Sequence, residues 1–181
     1  MSTTPSRVNW IPLCIAGILL ASTSAQALAQ RWSIYEEPIQ RLAPKAFPDL
    51  PAAVRADLER RGCVIPQSQD NPTPNNVVHG SFTGTGGSDW AVMCSIARMS
   101  RILVYRAGGS SRVDSLWTKP DDRLRVIQVI DTARMRAVSK GWDYALPKLV
   151  DHLGIVDGYM GMGAIFHYYA DGKWKRYSLS D

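Results

Sequence analysis

The chain has 181 residues, with 21 Lys and Arg against 16 Asp and Glu, a net charge of +5. That excess is too small to mark a nucleic-acid-binding protein, whose basic footprint is usually far stronger. It permits a weak attraction to anionic polymers or lipid headgroups and establishes nothing further.

Residues 1–29 read as a signal peptide. Arg7 precedes an apolar run over 10–20, and two small-x-small sites follow, Ala25-Gln26-Ala27 and Ala27-Leu28-Ala29. These place cleavage after Ala27 or Ala29. The run is shorter than the roughly 20 apolar residues that a membrane-spanning helix needs, and it carries Pro12 and Gly17. Cys14 lies inside the run rather than at its end, which argues against a lipid anchor. The expected location is therefore periplasmic or extracellular. Residues 30–181 then form a single exported α+β domain, long enough to bury about two-thirds of its unfolded surface. The leader contributes only Arg7, so the mature chain keeps 20 basic and 16 acidic side chains, a net of +4.

Residues 31–51 carry prolines at 38, 44, 48 and 51. Pro51 suits the first turn of a helix, where its missing N–H costs nothing. "PAAVRADLERRG" places Val54 and Leu58 on one face, crowds basic residues at its end and supplies Gly62 as a stop. It predicts a helix. "CVIPQSQDNPTPNN" predicts an extended segment and a proline-rich loop. Strands are predicted over 77–82, 90–96, 101–107, 113–117 and 123–131, with Pro120-Asp121-Asp122 as a turn. "WDYALPKLVDHLG" predicts a short helix broken near Pro147 and ended by Gly154. "AIFHYYADGKWKRYSL" predicts a hairpin, because Asp171-Gly172 is the dipeptide a type I′ turn demands. The pattern as a whole predicts an α+β fold, an antiparallel β-sheet with two or three short helices and one disulfide.

That disulfide is Cys63–Cys94. Export removes Cys14, and two thiols in an oxidising compartment are expected to join. The alternative is two separate buried thiols. Neither cysteine belongs to a C-x-x-C pair, and His79, His152 and His167 lack ligand spacing, so no metal site is assigned.

"NVVHGSFTGTGGSDWAVMCS", residues 76–95, invites several chemistries. A phosphate-binding loop needs a lysine after its glycines and a helix beyond; here a strand follows. A calcium site needs about 6–8 oxygens, and residues 83–88 contain no carboxylate. Ser88 as a nucleophile needs a base, for which His152 with Asp151 or Asp157 is the nameable partner, but no nucleophile-elbow pattern surrounds it. The stretch is read as a turn, with Asp89 satisfying backbone donors there. No catalytic residue and no cofactor are assigned. The arginines at 98, 101, 106, 112, 123, 125, 134 and 136 read as solvated strand faces balanced by Asp114, Asp121, Asp122 and Asp131. The rival reading is a basic, aromatic-interleaved face for a glycan or polyanion. The candidate binding set is Asp89, Trp90, Arg101, Tyr105, Trp117 and Arg123.

Gly80, Phe82, Gly87 and Asp89-Trp90-Ala91-Val92 resemble a single blade hairpin of the FG-GAP (VCBS-type) repeat, without its calcium ligands. More widely, Leu58 to Gln67 (Leu-Glu-x-x-Gly-Cys-x-Ile-Pro-Gln), Asp89 to Ser95 (Asp-Trp-Ala-Val-x-Cys-Ser) and Gly172-Lys173-Trp174 resemble a group of small exported bacterial proteins of uncharacterised function. The resemblance implies an exported location and this fold, and no reaction. The functional expectation is a non-enzymatic envelope binding module, with a glycan, a lipid or a secreted protein as partner. The alternatives are a hydrolase built on Ser88, Asp89 or His152, and an inhibitor of a secreted enzyme that presents the loop from Gly62 to Cys94.

Overall fold

A computed structural model describes residues 38–69, 74–142, 145–147 and 149–179. The signal-peptide reading falls outside the described residues. Residues Ile39–Asp181 make up one unit, and no helix among the described residues is long and apolar enough to cross a membrane.

Helix α1 (Ala52–Arg60) follows Pro51 as expected. It ends where Gly62 takes φ 71°. The Gly62 N–H donates to Glu59 O at 2.9 Å and the Cys63 N–H to Leu58 O at 2.9 Å, a Schellman motif. This closure delivers Cys63 to Cys94, to which it is disulfide-bonded with 5.2 Å between Cα atoms.

Among the described residues the fold is mostly antiparallel β-structure with two α-helices, and the strands form three sheets rather than the single sheet expected. A two-stranded ribbon pairs β1 (Arg41–Leu42) with β2 (Ile65–Pro66). The first large sheet is a meander of β3 (Val77–Gly80), β4 (Asp89–Ile96), β5 (Met99–Tyr105) and β6 (Val113–Pro120). The second is a meander of β7 (Arg125–Ile130), β8 (Gly154–Tyr159), β9 (Ala164–Ala170) and β10 (Lys173–Ser178). The two large sheets pack face to face. Ala91, Met93, Ile102, Val104 and Leu116 of the first meet Ile127 and Ile155 of the second. On the outer face of the first sheet, Val54 and Leu58 of α1 cover Val92, Leu103 and Tyr105. On the outer face of the second, Met135 of helix α2 (Thr132–Trp142) joins Ile130, Val156, Phe166 and Tyr168. Burial on both faces of each sheet explains why strict polar–apolar alternation is missing from β4, β5 and β8.

Two elements correct the expectations. The second helix lies at Thr132–Trp142, not over 142–154. Asp131 starts it, because its carboxylate accepts the Arg134 N–H at 2.7 Å, the N-cap arrangement that satisfies an otherwise orphaned donor. Gly154 does not end a helix; it opens strand β8. A Cβ on Gly154 would lie 2.9 Å from Ile130 Cγ2, and one on Gly158 would lie 2.8 Å from Ala164 Cβ. Close approach of neighbouring strands demands both glycines.

The terminal hairpin forms as expected, with Asp171 at φ 54° and Gly172 at φ 77°. Its edge strand β10 lies against β6. The Trp174 indole N–H donates to Asp114 at 3.0 Å, and the Arg176 guanidinium sits 3.8 Å over the Trp117 ring. Strand β6 holds one extra residue: Arg101 pairs with Thr118, whereas Leu103 pairs with Ser115. This bulge shifts the alternation downstream, placing Lys119 opposite Ser100 on the face between the sheets.

Candidate functional site

A concavity of about 720 Å³ lies at the end of the sandwich where the 81–88 loop meets the β9–β10 turn. Three pieces of chain are fixed around it. Asp89, read from sequence as a turn-satisfying residue, is buried and holds the loop. Its carboxylate accepts the Phe82 N–H (3.0 Å), the Thr83 N–H (2.8 Å), the Thr83 hydroxyl (2.8 Å) and, from the neighbouring 106–108 turn, the Ala107 N–H (2.9 Å). Four donors occupy this carboxylate, and they come from two loops rather than one. The segment 149–153 is pinned by the Leu153 N–H to Ser81 O (3.0 Å) and by Arg136 of α2 to Val150 O (2.7 Å). Gly80 packs closely against this segment, since a Cβ there would come within 2.8 Å of Leu153 Cδ1. The hairpin supplies Tyr168, Tyr169, Asp171 and Lys175.

Inside the cleft, His152 stacks on Tyr168 with ring centroids 4.3 Å apart. The His152 Nδ1 lies 2.7 Å from Asp151 Oδ1 and 3.0 Å from the Tyr168 hydroxyl. The Tyr168 hydroxyl also accepts the Asp151 N–H at 3.2 Å. The contact with His152 holds the Asp151 carboxyl below its ordinary range, and burial pushes the Tyr168 phenol up. The Asp151 carboxylate beside Nδ1 calls for a proton on that nitrogen, and the other ring nitrogen, Nε2, takes no part in the contact. This Nε2 is shielded from solvent and has no partner among the described residues. Thr83 and Gly84 form the opposite wall, and Pro147 and Leu149 form an apolar lip.

Ser88 is elsewhere. Its Oγ lies 2.8 Å from His79 Nε2, and His79 packs on Trp90 at 4.6 Å. His79 and Trp90 line a separate groove of about 440 Å³ with Phe47, Pro48 and Asp49. The pairing of Ser88 with His152 weighed from sequence is thus replaced by one with His79.

The six candidate binding residues do not share one face. Trp90 borders the His79 groove. Tyr105 is fully buried and donates its hydroxyl to Asp57 of α1 at 3.0 Å. Arg101 is exposed on β5, Arg123 is half-buried in the β6–β7 turn, Trp117 lies under Arg176 at the β6–β10 seam, and Asp89 is the loop anchor just described. Nor is the arginine series a uniformly solvated face. Arg106 pairs with Asp114 at 2.6 Å, whereas Arg125 is wholly buried between the sheets.

Arg125 centres an interior network that sequence reading missed. Its Nε and Nη2 donate to Asp157 at 2.8 and 3.0 Å, and its Nη1 donates to the Ser100 hydroxyl at 2.8 Å. Lys119 lies 3.3 Å and His167 4.0 Å from Asp157. Burial alone would raise the Asp157 pKa; the adjacent His167 ring, the hydrogen bonds and charge of Arg125 and the nearby Lys119 charge outweigh it and hold the carboxyl well below its ordinary range. A signal was available, because Arg125, Ile127 and Val129 alternate on one face of "RVIQVI", an arginine in line with apolar residues.

The architecture thus defines a small disulfide-closed β-sandwich faced by two helices, with a polar, aromatic-floored cleft at one end. No protein-family model, curated protein or solved structure matches this chain.

Proposed function

We propose that this chain is an exported, non-enzymatic binding module of the cell envelope, whose ligand occupies the cleft between Thr83 and Tyr168. The observation that carries this reading is the arrangement of Asp151, His152 and Tyr168. They form a mutually hydrogen-bonded cluster on the floor of a cavity of about 720 Å³, within the size range of small-ligand sites. A hydrolase needs a nucleophile in hydrogen-bond reach of its base. Here the hydroxyl nearest His152 belongs to Tyr168 and sits on the nitrogen that Asp151 already occupies, while Ser88 meets His79, which has no carboxylate bonded to it to orient the ring among the described residues. The cluster is suited to recognition. Export is supported by the leader-like residues 1–29 and by the disulfide.

The cleft also favours a ligand class. Asp151 and Asp171 outnumber Lys175, which is itself bound to Asp171. An acidic rim over aromatic rings suits a hydroxyl-rich ligand that is neutral or carries an amine, such as an amino sugar of an envelope glycan. Isothermal titration with a β-1,4-linked glucosamine tetramer tests this. Saturable binding that weakens at least tenfold in Asp151→Asn, with polygalacturonate silent, supports the reading. No saturable heat, or release of new reducing ends by the protein, overturns it.

A further inference from the structure

We propose that the opposite end of the sandwich docks on an anionic lipid surface. Three turns meet there: 97–98 between β4 and β5, 121–124 between β6 and β7, and 160–163 between β8 and β9. They are tied edge to edge, because the Asp121 N–H donates to Arg98 O at 2.9 Å and the Met160 N–H to Leu124 O at 2.9 Å. Hairpin turns are ordinarily polar, yet these carry Ile96 at 45 % exposure, Met99 at 41 %, Met160 at 39 % and Met162 at 60 %. They account for four of the seven large apolar side chains exposed among the described residues.

The charges at this end are sorted by sign. Arg98 and Arg101 are exposed and have no ion-pair partner among the described residues. The acidic side chains turn inward. Asp121 pairs with Arg41 and Asp157 with Arg125, their side chains being 1 % and 0 % exposed. Asp122 is half-buried and accepts the Leu124 N–H at 2.7 Å. The outward face therefore presents flexible apolar side chains beside uncompensated guanidinium groups, the pairing by which peripheral proteins enter the headgroup boundary of anionic bilayers. A folded protein partner would need hollows matching separate convex tips, whereas a fluid surface accepts them as they are. The strands run the length of the sandwich, so docking at this end leaves the Tyr168 cleft facing away from the bilayer. The inference does not depend on what that cleft binds.

The test uses residues 30–181, the chain that remains once the leader is removed, with the Cys63–Cys94 disulfide intact, so that a single added cysteine can carry a bimane probe. Met162→Cys reports the docking end and Ser110→Cys, in the 106–112 loop, the opposite end. On vesicles of brominated phosphatidylglycerol, quenching is expected at 162 and not at 110. Arg98→Gln with Arg101→Gln should weaken vesicle binding about 25-fold at low salt, from a contribution of about fivefold per arginine. Equal quenching at both positions, equal binding to phosphatidylcholine vesicles, or binding insensitive to the arginine pair would overturn the proposal.

Discussion

Arg125 and Asp157 meet as a two-point pair between the sheets, at 2.8 and 3.0 Å, with neither side chain exposed. Two charges removed from water are tolerated because Ser100, Lys119 and His167 surround them. Removing one partner strands the other. Asp157→Asn is expected to cost about 3–5 kcal/mol, and to cost more than Lys119→Met, because Asp157 faces two cations and Lys119 retains access to solvent. Replacing the pair together, Arg125→Met with Asp157→Leu, should recover most of the loss. Urea unfolding at neutral pH measures all three, and a double variant no more stable than Asp157→Asn would contradict the account.

The acid limb of stability follows from the same groups. Asp57 is also held below its ordinary value of 3.8: burial would raise it, but the hydrogen bonds from Arg61, Tyr105 and Arg60 prevail. With folded pKa values depressed for Asp57 and Asp157, the unfolded chain takes up protons first as pH falls. Their stabilisation is complete well above 3.8 and is lost as pH drops through that value toward the folded pKa values. Tyr105 acts with the opposite sign. Burial, then its bond to Asp57, raises its pKa, so its contribution is lost as pH rises past the ordinary 10.0. Unfolding free energy measured against pH should show a plateau with two falling sides. In Asp57→Asn the acid side should be shallower.

What could be read in advance was whatever local chemistry decides. Gly62 after a basic helix end and Asp171-Gly172 between β-rich arms each act over a few residues, and both appear in the structure; the Cys63–Cys94 bond, across 31 residues, was legible only from cysteine number. Helix α2 was hidden because Asp131 reads equally as a strand end or an N-cap. Strand β8 was hidden because Gly154 and Gly158 read as breaks, when tertiary packing requires them. The cleft was legible only in fragments. Asp151 and His152 are neighbours in sequence, but Tyr168 and Thr83 reach them through sheet pairing and the Asp89 anchor, which no spacing rule encodes. The bulge in β6, which brings Lys119 inside, likewise leaves no mark on "VDSLWTKP".

The Cys63–Cys94 bond closes a separation of 31 residues, for which chain entropy predicts about 4 kcal/mol. It joins the end of α1 to the middle of the first sheet, and the adjoining backbone pair Val64 and Ser95 exchanges hydrogen bonds at 3.1 and 2.8 Å. Reduction should therefore lower stability without unseating the ribbon of β1 and β2. Denaturation with and without dithiothreitol tests the magnitude. Alkylation of unreduced native protein tests the premise, which fails if both thiols react.

Asn76 offers a sharper test of how the sheets are joined. It stands before β3 at φ 67°, a left-handed conformation that asparagine adopts more readily than alanine. From there its amide nitrogen donates to Pro66 O at 2.7 Å and to Arg125 O at 3.2 Å, while its oxygen accepts the Ile127 N–H at 2.9 Å. One side chain thus clips β2 and the first large sheet to β7. Asn76→Gly keeps the backbone conformation and loses the three bonds, at about 1–3 kcal/mol for each buried group left unsatisfied. Asn76→Ala adds about 1 kcal/mol of backbone strain. Asn76→Asp should be worst at neutral pH, because it turns a carboxylate oxygen toward two carbonyls that had been receiving a donor. Chemical denaturation should rank the variants Gly, Ala, Asp in order of increasing damage. An aspartate variant as stable as the glycine one would show that the clip does not hold the sheets together.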